Sequence, residues 1–172
     1  MPSHRNTLAV AIALLIAASP AWAALPSAQV NAITVACQQL LADYAIYRDH
    51  LDVEGFANAF TSDATLVLAT RSYVGRDELR KEITDHPSPA IAHMIHFTST
   101  KITPVSATKA TGVSYAVILN GNRHVGPGDQ PIQMEGITSA GEYLSEFALT
   151  NDGWKISRME LKSVFRGPGF AK

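Results

Sequence analysis

The sequence predicts a single α+β domain in which helices come first and a run of antiparallel strands follows. Apolar residues of the first half recur at three- and four-residue steps, the spacing of a buried helix face: Ile33, Cys37, Leu40, Leu41 and Tyr44. From Ile91 onward the chain holds long β-rich segments instead. We therefore expect about three N-terminal helices over one face of a strongly bent antiparallel sheet, with a pocket between them.

Three helices are predicted in the first half of the chain. The first runs from about Ala28 to Asp49, and the second from Val53 to Phe60 with Asp52 as its cap. A third begins near Asp77 and reaches about Thr84. The residues at 85–89 stop it, because they include two prolines and proline cannot continue a helix.

The strands are predicted from β-rich segments and turn residues. A short strand covers residues 65–69, and a turn at residues 73–76 leads into the third helix. Later strands are predicted at residues 92–103, 110–120, 133–150 and 154–165, with a longer loop at residues 121–131. Asp152-Gly153 makes a hairpin turn before the last strand, because glycine supplies the positive φ that such turns need.

The last strand is predicted to carry a bulge. Trp154 and Ile156 share one face, but the next apolar residues, Met159 and Leu161, have the opposite parity. A one-residue slip near Ser157 would bring all four inside. Parity also places further residues around a mainly apolar cavity: Ile132, Met134, Val117, Tyr143 and Phe147.

The first 23 residues predict a secretory signal peptide. Arg5 precedes an unbroken apolar run from Leu8 to Ala18, and Ala21-Trp22-Ala23 is a small-x-small cleavage site. The run is shorter than the roughly 20 residues that a spanning helix needs. We predict cleavage after Ala23, with residues 24–172 as the mature periplasmic or secreted domain, free of the membrane. A retained membrane anchor is the alternative.

Composition excludes several classes of function. With 14 basic and 15 acidic residues, the chain has no basic patch of the kind that binds nucleic acid. Cys37 is the single cysteine, so we expect no internal disulfide and no thiolate metal cluster. His93 and His96 lie three apart on a strand and so face opposite sides. No glycine-rich phosphate loop follows a strand. We therefore predict neither a metal nor a cofactor.

His96 is the first candidate for acid-base chemistry. If Lys101 faces water, alternation along the strand puts Ile95 and Phe97 outside and His96 inside. An interior histidine near a carboxylate has a tunable pKa close to neutrality, which suits general acid-base work. The alternative is a core histidine that a backbone carbonyl satisfies.

Asp49 is the second candidate, at the predicted end of the first helix. The helix dipole disfavours an anion there, and this conflict suggests a role for the carboxylate. A solvated helix-end acid is the alternative, and Asp43 and Asp52 are rivals. Tyr44 lies five residues earlier, so both side chains reach one cavity only if the helix ends or bends between them.

Three stretches carry a resemblance to a known family: residues 41–63, Met94 to Ser99, and Asp152 to Ile156. They resemble the SnoaL-like group of the nuclear-transport-factor-2-like superfamily, over roughly Ile33 to Gly167. The outer two stretches imply only the fold, a cone-shaped α+β barrel. The middle stretch is similar to the histidine-bearing strand of scytalone dehydratase and of bile-acid dehydratases.

This resemblance implies site residues. Asp49 matches the aspartate that orients and charges the catalytic histidine, His96 matches that histidine, and Tyr44 matches a tyrosine of the bile-acid dehydratases. The chain also departs from these enzymes. Arg48 stands where scytalone dehydratase has a tyrosine. A second histidine of that enzyme falls near Asn122, two residues before His124. An acid of the bile-acid enzymes falls near Asn120.

The resemblance implies a cofactor-free lyase or isomerase that acts next to a carbonyl of a bulky apolar ring compound. In that reaction Tyr44, with Tyr143, would hold the enolate oxygen. We expect the substrate-binding residues to be Tyr47, Asn120, His124, Tyr143, Trp154 and Arg158, and the assembly to be a homo-oligomer, a dimer or trimer. A periplasmic pocket protein that binds an apolar ligand is the alternative. The small subunit of an oxygenase shares the fold, but the signal peptide argues against it.

Overall fold

The computed structural model describes residues 25–68, 71–85, 91–122 and 131–167. Its elements, in chain order, are helices α1 (Ser27–Asp49) and α2 (Val53–Asn58), strands β1 (Phe60–Leu68) and β2 (Arg71–Val74), helix α3 (Arg76–Asp85), and strands β3 (Ile91–Ser106), β4 (Lys109–Asn122), β5 (Met134–Thr150) and β6 (Gly153–Arg166). The predicted signal peptide and His124 lie outside the described residues. Among the described helices, none combines the length and hydropathy that crossing a bilayer requires.

The six strands form one bent, unclosed sheet in the order β2-β1-β6-β5-β4-β3. Strands β3 to β6 pair as antiparallel neighbours, and β1 joins β6 in parallel. The predicted α+β class, with N-terminal helices and a strongly bent sheet, is confirmed. Because β3 ends the sheet, one of its edges is left for α1, which packs beside it.

Local sequence signals account for most element boundaries. The side chain of Asp52 accepts a hydrogen bond from the N–H of Gly55 at 2.9 Å, so the predicted cap of α2 is confirmed. Gly153 has a φ of 92°, as the predicted hairpin turn requires. Helix α2 ends at Asn58 rather than Phe60, because Phe60 instead pairs with Ile156 of β6.

The predicted bulge in β6 is confirmed. Phe147 of β5 is opposite Ile156, and Glu146 is opposite Arg158, which leaves Ser157 as the extra residue. This slip buries both Ile156 and Met159 at 0 % exposure. The outer members of the predicted set, Trp154 and Leu161, pack against the same core.

The space between α1 and the sheet is filled by an aromatic cluster, defined here as Tyr44, Phe56, Phe60, Phe97 and Tyr143. Its ring centroids lie between 5.0 and 6.1 Å apart. The sequence predicted a mainly apolar cavity at this level, and packed rings stand there instead. Tyr143 and Phe147 are buried as predicted, but Ile132 and Met134 are 42 % and 63 % exposed, because β4 and β5 pair irregularly at that end.

The apolar face of α1 is buried as its spacing predicted. Ile33, Cys37, Leu40, Leu41 and Tyr44 all lie in the core. Burial also raises the pKa of the Cys37 thiol to about 12, so this thiol packs as a small apolar group.

Candidate functional site

Asp49 ends α1 and ties it to the edge strand. Its Oδ2 accepts a hydrogen bond from the backbone N–H of Ile95 at 2.9 Å. In the described sheet β3 pairs only with β4, so alternate N–H groups of β3 point away from the ladder and need another acceptor. The carboxylate supplies one, which places Asp49 beside the strand that carries His96.

The environment of Asp49 favours its protonated form. Burial raises the pKa of this half-buried carboxyl above its ordinary value of 3.8. The hydrogen bond from Ile95 opposes that rise, and so do the charges of Arg48, His50 and His96. A carboxyl held between these influences can gain or lose a proton closer to neutral pH than a free aspartate can.

Two open clefts run between α1 and β3. The first, of about 600 Å³, contains Asp49 and is lined also by His50, His93, Met94 and Ile132. The second, of about 460 Å³, is lined by His96, with Leu41, Phe97 and Thr100. Both are walled by Ala45, Ile46 and Ile95, so they adjoin. Together they form one mostly apolar groove. The Asp49 carboxylate lies in one half and the His96 imidazole in the other.

The predicted interior orientation of His96 is wrong. Its side chain is exposed, whereas Ile95 is only 6 % exposed and Phe97 packs against the core. The reason is a bulge: Thr98 is opposite Tyr115 and Lys101 is opposite Val113, so two residues of β3 face one of β4. Ser99, inside the bulge, has a φ of 48°. Parity counted back from Lys101 through this extra residue is therefore reversed.

His93 takes the face that His96 was expected to occupy. It is partly buried, it lies two residues from Ile95 on the same side of β3, and it lines the Asp49 cleft. His96 influences Asp49 through its charge, and in the described residues no hydrogen bond joins the two side chains. The sequence indicated His93 only as a possible metal ligand, and its place at the cleft depends on the bulge at Ser99.

Tyr44 and Tyr143 lie beneath the groove, in the aromatic cluster. Both are almost fully buried, and burial raises the pKa of each phenol. Helix α1 continues unbroken to Asp49, so Tyr44 turns toward the core while Asp49 turns toward β3. Their rings pack against Phe97, at centroid distances of 6.1 and 5.0 Å, and so support one wall of the groove.

A buried ion pair lies next to this site. The Arg48 guanidinium bonds the Glu82 carboxylate of α3 at 2.7 Å, with side-chain exposures of 10 % and 1 %. In the sequence Arg48 stands out only as a departure from scytalone dehydratase, and Glu82 was not among the predicted site residues. A signal was present, since Glu82 shares a helical stripe with Leu79 and Ile83, and a carboxylate on a buried stripe needs a partner.

The remaining predicted binding residues are dispersed. Asn120 donates a hydrogen bond to Glu135 at 3.2 Å, and Arg158 pairs with Glu160 at 2.7 Å. Tyr47 and Trp154 pack against the core. With Tyr143 also in the core, the structure brings none of these five to the groove, and His124 lies outside the described residues. Within the described ranges, no group of three or more His, Cys, Asp or Glu side chains suits a metal.

Comparison with known families decides the relationship. The family described as a SnoaL-like domain matches residues 32–160, which is most of the chain. The chain belongs to the SnoaL-like family. No curated protein matches this SnoaL-like chain.

Solved structures agree on the SnoaL-like fold. A protein of unknown function from Mycobacterium tuberculosis is 23 % identical, with a TM-score of 0.69, covering 80 % of this chain and 75 % of the other. The hexachlorocyclohexane dehydrochlorinase LinA-type3 from Novosphingobium barchaimii is 22 % identical, with a TM-score of 0.68 and coverages of 83 % and 94 %. A protein from Novosphingobium aromaticivorans, named for scytalone dehydratase, is 21 % identical, with a TM-score of 0.64 and coverages of 83 % and 91 %. At these identities the likeness establishes the fold.

Proposed function

We propose that this SnoaL-like protein is an exported, cofactor-independent lyase or isomerase that moves a proton next to a carbonyl of a bulky apolar ring compound. Asp49 and His96 are the acid-base pair. The observation that carries the proposal is the half-buried Asp49 carboxyl, with a raised pKa, in an open groove beside the histidine-bearing strand. Ionisable groups perturbed in this way are typical of catalytic clefts.

The shape of the groove supports a bulky substrate. Its halves of about 600 and 460 Å³ share Ala45, Ile46 and Ile95 as a common wall. A ring compound that spans both halves would contact Asp49 from one side and His96 from the other. The apolar wall would hold the hydrocarbon part and exclude water from the reacting carbon.

The chemistry needs one group that accepts a proton and one that donates. In an elimination, one member of the pair takes the proton α to the carbonyl, the carbon–carbon double bond forms, and the other gives a proton to the departing hydroxide, which leaves as water. In an isomerisation the proton returns to a different carbon. Tyr44 and Tyr143 support Phe97 from below in this scheme, rather than holding the enolate oxygen.

Relatives of the same fold support this class of reaction. The structurally similar proteins include one named as a dehydrochlorinase and one named for a dehydratase, both of which are elimination enzymes by name. Their identity to this chain is low, so the substrate of this protein is proposed from its own groove.

Ligand binding without catalysis is the second candidate. Two observations favour it: Asp49 already serves as the acceptor for Ile95, and the imidazole of His96 is exposed. A protein of this kind would use the groove only to hold an apolar ring compound.

One experiment separates the two functions. The mature protein would be screened against aromatic and steroid-like hydroxy-ketones, with Asp49→Asn, His96→Ala and His93→Ala as variants. Asp43→Asn, on the same helix but outside the groove, is the matched control. We expect Asp49→Asn and His96→Ala each to lower turnover of a confirmed substrate by about 10²-fold or more, with little change in KM. Unchanged turnover in both would rule out the Asp49–His96 pair, whereas binding of these compounds without any turnover would establish the binding protein. Loss in His93→Ala alone would move the histidine role to His93.

A further inference from the structure

The ion pair of Arg48 and Glu82 is deeply buried, with side-chain exposures of 10 % and 1 %. The pair of Arg80 and Glu54 is much more exposed, at 34 % and 64 %. Burying two charges is costly, and apolar replacements of a buried pair are often equally stable or more stable. Stability alone is therefore a weak explanation for this pair.

Its position relative to Asp49 suggests another explanation. Arg48 immediately precedes Asp49 in α1, and neighbouring residues of a helix point about 100° apart. Arg48 therefore reaches α3, where Glu82 holds it at 2.7 Å, while Asp49 reaches β3, where it accepts from Ile95 at 2.9 Å. The last turn of α1 is thus fixed from two directions, and the carboxylate keeps one place in the groove.

The charge of the pair acts at the same place. Burial works against the charged form of Arg48, but Glu82, Tyr44 and Tyr143 hold its pKa above the ordinary value, so it stays charged. In turn the positive charge of Arg48 lowers the pKa of Asp49 against the effect of burial. The charges of His50 on α1 and His96 on β3 also lower the pKa of Asp49, and the imidazole of His93 on β3 lines the same cleft.

We propose that Arg48 and Glu82 are positioning residues that fix the last turn of α1 and place the positive charge of Arg48 beside the Asp49 carboxylate in the groove. Glu82 holds Arg48, and Arg48 acts on Asp49; neither lines the groove itself. This positioning role rests on the proposed function, but the effect of Arg48 on the titration of the Asp49 carboxyl can be measured without a substrate.

The test is a carbon-13 NMR titration of the Asp49 carboxyl in the mature protein. Arg48→Met should shift the titration midpoint of Asp49 upward, because the nearby positive charge is lost. Arg48→Lys keeps that charge and should return the midpoint toward the wild-type value. Arg80→Met is the matched control, since Arg80 also bridges two helices through glutamate but lies at the surface, and it should leave the midpoint unchanged.

If Arg48→Met does not fold, a double variant still tests the proposal. Arg48→Met removes the cation that the buried Glu82 carboxylate bonds, whereas Arg48→Met/Glu82→Leu removes both charges of the pair and should fold. The double variant should also show the upward shift, since the charge that acts on Asp49 is that of Arg48. A wild-type midpoint in the folded double variant would overturn the proposal.

A second readout separates this inference from the proposed function. With a confirmed substrate, the acid limb of the pH–rate profile should move with the Asp49 midpoint, and turnover should fall by about 10-fold or more from misplacement of the carboxylate. If the midpoint shifts but no substrate is turned over, the positioning role stands and the catalytic function fails. If a substrate is turned over while both the midpoint and the profile stay unchanged, the positioning role fails alone.

Discussion

The carboxylate of Asp49 accepts the backbone N–H of Ile95 at 2.9 Å, and this bond joins the last residue of α1 to the edge strand of the sheet. The same carboxyl is half-buried, and burial raises its pKa. A purely structural acceptor at this place would work as well without a charge. An aspartate that can ionise here costs stability, and residues kept at such a cost are often functional.

The first prediction follows from that cost. Unfolded Asp49 titrates near 3.8 and folded Asp49 above it, so between these values the folded chain holds a proton that the unfolded chain lacks. The stability contributed by protonated Asp49 is therefore full below pH 3.8 and is lost as pH rises through the folded pKa. Asp49→Asn keeps an acceptor and cannot ionise, so its stability relative to wild type should improve from pH 3 to pH 7.

Urea unfolding at the two pH values measures this effect. Asp49→Leu is the control for the hydrogen bond, because it leaves the N–H of Ile95 without its acceptor. We expect it to be less stable than Asp49→Asn by about 1–3 kcal/mol at both pH values. A constant difference between Asp49→Asn and wild type across this range would show that folding does not raise the pKa of Asp49.

The second prediction concerns the two histidines of β3. With the bulge at Ser99, His96 faces solvent and His93 is partly buried. Diethyl pyrocarbonate should therefore modify His96 faster than His93 in the native protein, and both at similar rates in urea. Peptide mass spectrometry gives both rates in one sample. Faster native modification of His93 would mean that the strand carries no bulge and that His96 faces inward.

These two histidines also show how much the sequence could predict. The bulge at Ser157 was found because apolar parity changes between Ile156 and Met159. The bulge at Ser99 leaves the same kind of signal, since Ile95 and Phe97 are odd-numbered and Ile102 is even. Counting alternation from Lys101, which lies beyond this bulge, reverses the predicted faces of residues 92–98. The alternation of apolar residues is thus enough to predict both bulges, provided that it is counted from the apolar residues on each side of the bulge.

Unlike the bulges, the ion pair beside Asp49 could not be predicted from local sequence. Glu82 lies 34 residues from Arg48, and their meeting depends on how α3 packs against the end of α1. Helical spacing could indicate that Glu82 is buried, but it could not name the partner. Likewise, the filling of the expected cavity by the aromatic cluster depends on the packing of side chains from several elements, which periodicity does not specify.

The third prediction concerns export. Residues 1–23 carry the pattern of a signal peptide, with Ala21-Trp22-Ala23 at the cleavage site. Expression of the full chain in a bacterium should give a periplasmic protein whose N-terminus is Ala24. Intact-mass measurement of the periplasmic fraction checks this, and Ala23→Arg should block processing. Full-length protein in the membrane fraction from the unaltered chain would instead indicate a retained anchor.

The fourth prediction separates packing from chemistry at Tyr44. Its hydroxyl is buried with no well-aligned hydrogen-bond partner in the described residues, and its contact with Tyr143 raises the phenol pKa further beyond the effect of burial. Its ring contacts the four other members of the aromatic cluster, at centroid distances from 5.3 to 6.1 Å.

Tyr44→Phe keeps the ring and removes a poorly satisfied polar group, so the free energy of unfolding should stay within about 0.5 kcal/mol of wild type or increase. Tyr44→Ala should lower it by about 3–5 kcal/mol, because it opens a large cavity. Urea unfolding measures both. If the hydroxyl instead holds a substrate oxygen, Tyr44→Phe will keep its stability but lose turnover, and Tyr44 will return to the catalytic set.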